Sequence, residues 1–306
     1  MSASFGERLA AQVAERRSQI VLGLDPDPAR LWPAGASAAE AARGDAAERV
    51  ARGVVAHCQA VIDAAGAECV AVKPQVACFE RLGAPGWSAL REVAAHARTS
   101  GLLVIADGKR GDIDVSAAAY AQAFFGGVST PWGDISGLEA DALTVSPLLG
   151  ADSIEPFLTA ARPRGAGLFL LVRTSNQGAR DVQEAELATG GIVSDRIARL
   201  VDRLGSSPAA LSDVGAVVGA TAPEHLARLR ELMPRAVFLL PGVGAQGGRV
   251  EALAPAFAPG RAGGLIAASR GIVGAHESAG GDPATSALSA AAALREQAWA
   301  LGASGA

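Results

Sequence analysis

Aromatic side chains are scarce in this sequence: they make up 4% of 306 residues, with a single tyrosine. Half of the chain is nonetheless apolar, so a large core has to be filled by Ala, Val and Leu. Cysteine occurs three times, at Cys58, Cys69 and Cys78, with no CxxC spacing. That rules against a disulfide framework and a zinc site. Apolar neighbours point to buried free thiols, and hence to a reducing, cytoplasmic compartment. A basic excess is missing too. The formal net charge is −4, which excludes a broad nucleic-acid footprint and leaves room for a local anion site. No uninterrupted apolar run reaches the roughly 18 residues of a membrane span. The first residues lack the basic-then-apolar layout of a signal peptide, so none is expected. The four histidines, His57, His96, His225 and His276, show no carboxylates at metal-ligand spacing, so no metal is expected. Three of them, His57, His96 and His225, fall in expected helices of an outer ring.

Lysine is almost absent. It occurs only at Lys73 and Lys109, against 27 basic residues in all. In so arginine-rich a chain, a retained lysine suggests a task that a guanidinium cannot perform, such as giving up a proton.

Short apolar runs alternate with Ala/Arg/Glu stretches of helical period. The expected strands are 20–24, 69–73, 102–107, 142–145, 168–172, 216–219, 237–240 and 264–268. Between them, Val50, Val54, Cys58, Val61 and Ala65 mark one face of a helix, as do Leu226, Leu229 and Met233. Eight strand–helix units predict an α/β protein, a single-domain (β/α)8 TIM barrel spanning residues 1–306. An amphipathic leader, 5–17, is expected to cap the barrel floor. An Ala-rich stretch, 285–301, is expected to close the ring. Residues 126–140 and 274–283 read as loops.

Barrel chemistry lies at the C-terminal ends of the strands, and here those ends are polar. Strand one runs into Asp25, strand two into Lys73-Pro74-Gln75, and strand three into Asp107-Gly108-Lys109-Arg110-Gly111-Asp112. Strand five leads to Ser175 and Asn176, strand seven to a glycine-rich segment carrying Gln246, and strand eight to Arg270. Asp107 and Lys109, two residues apart, can share a face. A lysine between two carboxylates stays protonated. Each close pair is worth about 4 kcal/mol at 4 Å in an effective dielectric near 20. Such a lysine suits a fixed cation and proton donor better than a Schiff-base nucleophile. Pro241-Gly242-Val243-Gly244-Ala245-Gln246-Gly247-Gly248 reads as a phosphate grip, in which glycines turn backbone N–H groups toward an anion and the next helix adds its positive end. Arg270 is placed to add a bidentate guanidinium. Asp25 and Lys73 can bond sugar hydroxyls, and Ser175 a polar ring.

The phrase Asp107-Gly108-Lys109-Arg110-Gly111-Asp112-Ile113 resembles the longer bacterial branch of the orotidine 5′-phosphate decarboxylase family. So do Leu22-Gly23-Leu24-Asp25-Pro26, Val72-Lys73-Pro74-Gln75, Thr174-Ser175-Asn176 and the 241–248 segment. They occur in order between residues 22 and 271. The resemblance implies a homodimeric barrel that converts orotidine 5′-monophosphate to UMP and CO2 without metal or organic cofactor. It implies that Lys109 protonates the ring carbon that loses CO2. Asp107 would lie near the departing carboxylate, and Asp112 would reach the partner's site. Asp25 and Lys73 would hold the ribose, Ser175 the pyrimidine, and Gln246 and Arg270 the phosphate. Ser116 would stand in for the threonine hydroxyl of Ile-Pro-x-Thr, and Asp114 replaces its proline. Two other readings are a Mg²⁺-dependent sugar-phosphate decarboxylase or aldolase on the same barrel, and a non-catalytic nucleotide-phosphate sensor. The intact Asp-Lys-Asp set weighs against the sensor, which needs no proton donor.

Overall fold

Eight parallel strands close into a barrel in the computed structural model, which describes residues 3–205, 211–244 and 246–301. They are β1 (Ile20–Leu24), β2 (Ala71–Pro74), β3 (Leu103–Arg110), β4 (Ala142–Val145), β5 (Gly167–Arg173), β6 (Val214–Val218), β7 (Phe238–Pro241) and β8 (Gly264–Ala268). Each pairs with its neighbour in chain order, and β8 returns to β1 through Ile20 opposite Ile266. All eight fall where the apolar runs predict them, to within a few residues.

The strands are buried on both faces because helices surround the barrel and side chains fill it. Residues alternate between the two sides. Ile20, Leu22, Val72, Val104, Ala106, Leu143 and Leu170 pack outward with the helices. Val21, Ala71, Leu103, Ile105, Ala142, Phe169, Leu239 and Leu265 fill the barrel interior. The helix Ala46–Ala65 starts with a capping box between Asp45 and Glu48, and it buries Val54, Cys58, Val61 and Ala65 of the predicted stripe, with Val50 half-buried. Leu226, Leu229 and Met233 are buried in the same way.

The leader forms the helix Phe5–Arg16, capped by Ser4 and Glu7, and it closes the barrel floor. Phe5 stands edge-to-face on Phe169 at 5.8 Å. A Cβ at Gly167 would sit 2.6 Å from the Phe5 ring, so only glycine lets that ring reach the barrel. The closing helix runs from Pro283 to Leu301 and buries Ala287, Ala291 and Ala298.

The segment 126–140 differs from its expected loop. It holds an antiparallel hairpin, Val128–Thr130 with Gly133–Ile135. At its tip, Trp132 is 93% exposed, so this tryptophan is not the packing residue its type suggests. Residues 274–283 likewise contain a short helix, Ala275–Ala279. Cys58 and Cys69 are buried free thiols, and Cys78 is half-buried. No described helix is long and apolar enough to cross a membrane.

Candidate active site

The inward rows that fill the barrel with Ala71, Ile105 and Ala142 continue upward to Lys73, Asp107 and Thr144. Period-two alternation thus carries three polar side chains into the top of the core. Asp107 is 6% exposed and each carboxylate oxygen is taken. Its Oδ2 accepts from Lys73 Nζ at 2.6 Å and from Gln75 Nε2 at 3.2 Å. Its Oδ1 accepts from Lys109 Nζ at 2.6 Å and from Thr144 Oγ1 at 2.9 Å. Burial alone would raise the Asp107 pKa, but the Lys73 and Lys109 charges and their hydrogen bonds outweigh it and hold it at about 2. Burial likewise works against the Lys73 ammonium, and Asp107 and Asp25 more than reverse that, so its pKa is raised.

Lys109 takes a left-handed backbone, φ 46°, rare for a side-chain-bearing residue. The pairing of β3 with β4 shifts register between Ala106 and Arg110 at this point. The Lys109 N–H leaves the regular ladder and donates to Thr144 Oγ1 at 2.9 Å. Strain of this kind costs about 1 kcal/mol or more and persists where the surroundings enforce it. Here it keeps the ammonium on the Asp107 side of the strand, 44% exposed toward the barrel mouth.

A cavity of about 380 Å³ opens above this network. Asp25, Lys73, Asp107, Lys109, Ser175, Gln246 and Arg270, all expected from the sequence, line it. Asp112 and Ser116 do not. Asp112 is half-buried and accepts the Ile113 N–H at 2.8 Å, and Ser116 is exposed on the helix Asp114–Phe125. Thr144 and Gln75 also line the cavity, and sequence reasoning gave them no role. Thr144 had one signal, a hydroxyl in an otherwise apolar strand.

The glycine-rich loop has positive φ at Gly242, Gly244 and Gly247. A Cβ at Gly242 would stand 3.1 Å from Gln246 Oε1 and 3.2 Å from Ser175 Cβ, so glycine lets the loop cross close over Ser175. Three of the loop's amides are spent within the loop and not turned toward an anion. The N–H groups of Gly244, Gly247 and Gly248 bond to the carbonyls of Gly248, Gly244 and Gly242 within the loop. The next element is a 3-10 stretch, Val250–Phe257, in place of an α-helix. Gln246 and Arg270 place polar side chains on the cavity wall at this end. Ala245 lies outside the described residues.

The histidines stand apart from this cluster. His57 lies in a helix of the outer ring, but its ring is buried and accepts the Trp32 N–H at 3.0 Å. Among the described residues, no group of three or more His, Cys, Asp or Glu side chains is arranged to hold a metal ion.

Residues 18–280 match the model of the family described as orotidine 5'-phosphate decarboxylase / HUMPS. The chain is 41% identical over 301 residues to a Deinococcus radiodurans protein named orotidine 5'-phosphate decarboxylase, covering 97% of each. It is 41% identical over 280 residues to a Rhodopirellula baltica protein of the same name, covering 90% of this chain and 89% of that one. The structure of Leishmania donovani OMP decarboxylase superposes with a TM-score of 0.70 at 31% identity, covering 97% of this chain and 98% of the other. With the barrel, the ordered motifs and a match across most of its length, the chain belongs to the orotidine 5'-phosphate decarboxylase / HUMPS family.

Proposed function

We propose that this chain is a cytoplasmic carboxy-lyase of pyrimidine biosynthesis that converts orotidine 5′-monophosphate to UMP and CO2, using no metal and no organic cofactor. The observation that carries this reading is one cavity lined from two sides of the barrel. A lysine–aspartate–lysine network comes from β2 and β3, and Gln246 and Arg270 follow β7 and β8.

A nucleotide fits that polarity. Its phosphate meets Arg270 and Gln246, its ribose hydroxyls meet Asp25 and Lys73, and its pyrimidine lies along Ser175. The orotate carboxylate then lies near Asp107, with Lys109 beside the ring carbon that bears it. When the C–C bond breaks, CO2 leaves and the bonding electron pair stays on the ring carbon. The Lys109 ammonium offsets that charge and delivers its proton to the same carbon, giving UMP and a neutral lysine. Lys109 is 44% exposed, so it can recover a proton from water. Preorganisation does the work: the ammonium is already oriented by Asp107 before charge develops, so little reorganisation accompanies the step. Phosphate contacts far from the reacting carbon can stabilise the oriented complex.

Against a Mg²⁺-dependent sugar-phosphate reaction, both Asp107 oxygens are already engaged by ammonium groups, which a cation would have to displace.

Asp112 lies outside its own cavity, and this supports a homodimer in which it completes the partner's site. The surface beside it supports the same reading. Ile113, Val115, Leu148 and Leu149 are 51%, 83%, 75% and 53% exposed, an apolar patch of the kind that marks a contact.

The test is absorbance. Purified protein with orotidine 5′-monophosphate in excess chelator is expected to bleach the orotate band and yield UMP. No bleaching, or bleaching that requires added Mg²⁺, overturns the proposal.

A further inference from the structure

A second cavity, about 310 Å³, adjoins the first and shares Asp25, Ser269 and Arg270 with it. Its wall contains Trp32, His57 and His276, none of them touched by the reaction as described.

Arg270 opens a helix of only four residues, Arg270–Val273. So short a helix does not hold itself together, and its final carbonyls lack partners within the helix. One of them is satisfied from the neighbouring loop: Trp32 Nε1 donates to Val273 O at 3.1 Å. Trp32 is itself fixed at 4% exposure. Its backbone N–H donates to His57 Nδ1 at 3.0 Å, and its ring stands edge-to-face against His57 at 5.7 Å and His276 at 6.3 Å. Burial, aided by nearby His276, lowers the His57 pKa to about 4, so the ring is neutral and Nδ1 can accept. A continuous path therefore runs from the packed helix Ala46–Ala65 through His57 and Trp32 to the backbone that carries Arg270. Residue 32 lies 241 positions from Val273 in sequence, so this contact ties the loop after β1 to the loop after β8.

We infer that Trp32 is a positioning residue for the phosphate end of the site, with His57 fixing it, so that this pair sets affinity for the phosphate-bearing ligand while leaving the nucleoside part alone. The inference rests on Arg270 holding phosphate.

The experiment measures UMP and uridine as competitive inhibitors of the full-length enzyme. Trp32→Phe keeps the ring and removes the indole N–H. It is expected to weaken UMP by about three- to tenfold, the scale of one hydrogen bond, and to leave uridine unchanged. His57→Leu is expected to act in the same direction. His57→Asn, whose amide oxygen can accept the Trp32 N–H, is expected to restore much of the loss. A merely structural role would not separate the two inhibitors or show this rescue. Arg270→Ala serves as the reference. If it weakens UMP selectively and Trp32→Phe weakens neither ligand, or both alike, the inference is overturned and the phosphate assignment stands. If Arg270→Ala weakens UMP and uridine equally, the phosphate assignment fails and the inference fails with it.

Discussion

Replacing Asp107 by Asn removes the carboxylate bonded to both Lys73 and Lys109 while preserving its shape. At 2.6 Å, each ion pair is worth about 6 kcal/mol of gross attraction in an effective dielectric of 20. Much of that offsets the cost of burying Lys73, whose side chain is 10% exposed. Leaving one member of a buried pair uncompensated costs about 3–5 kcal/mol. The Lys109 share is small, because a side chain 44% exposed is well screened and its pair is worth about 1 kcal/mol or less. Asp107→Asn is therefore expected to lose about 3 kcal/mol at pH 7, a sizeable part of a typical domain's stability.

The pH dependence gives a sharper test. In the native protein the Lys73 pKa is raised above 10.5, so its stabilisation is complete below 10.5 and is lost as pH rises through the folded value. In the variant, burial remains and the main opposing charge is gone, so the folded pKa drops below 10.5. The unfolded chain then binds more protons, and stability rises as pH climbs toward 10.5. Urea unfolding of both proteins between pH 7 and pH 10 should show the gap narrowing. Parallel curves, or equal midpoints at pH 7, would refute the claim that Asp107 keeps a buried lysine charged.

Mixing tests whether Asp112 acts across a dimer. Asp112→Ala and Lys109→Ala, each inactive alone, should recover about a quarter of native activity when their subunits exchange freely, since half of the dimers carry one intact site. No recovery would confine Asp112 to its own chain. Arg230 is a separate structural prediction. Its guanidinium is buried over Phe238 at 3.8 Å and donates to the carbonyls of Met233, Ala236, Ala256 and Gly263. Arg230→Met should cost about 3 kcal/mol or more in urea unfolding, because buried carbonyls lose their donors. A change under about 0.5 kcal/mol would show that water replaces the guanidinium freely.

The barrel was legible because buried parallel strands are short apolar runs, and all eight stand out against helices of different period. Alternation also predicts Asp107 and Lys109 on one face, and the two do meet, although through a left-handed turn at Lys109 and not through regular strand geometry. What stayed hidden depends on distant pairing or on a turn's own chemistry. Thr144 gains its role only because β4 lies beside β3, and the Lys109 backbone reversal comes from a register shift that no local pattern announces. The hairpin 128–135 escaped notice because Ser, Thr, Pro and Gly read as loop and its strands are three residues each. The glycines of 241–248 did signal a tight turn, but the amides of Gly244, Gly247 and Gly248 bond within the loop, and sequence cannot tell an inward-turned amide from an outward one. His57 falls on an expected outer-ring helix and nothing local marks Trp32, and only the fold brings Trp32 to Val273.

In the proposed reaction one ammonium, on Lys109, protonates the carbon that CO2 leaves. Its most direct test is Lys109→Ala with orotidine 5′-monophosphate, followed at the orotate band, alongside UMP binding. Loss of both charge stabilisation and proton transfer should lower kcat by at least about 10³-fold, with UMP affinity within a few fold of native. Turnover near the native rate in that variant would show that Lys109 is not the proton donor.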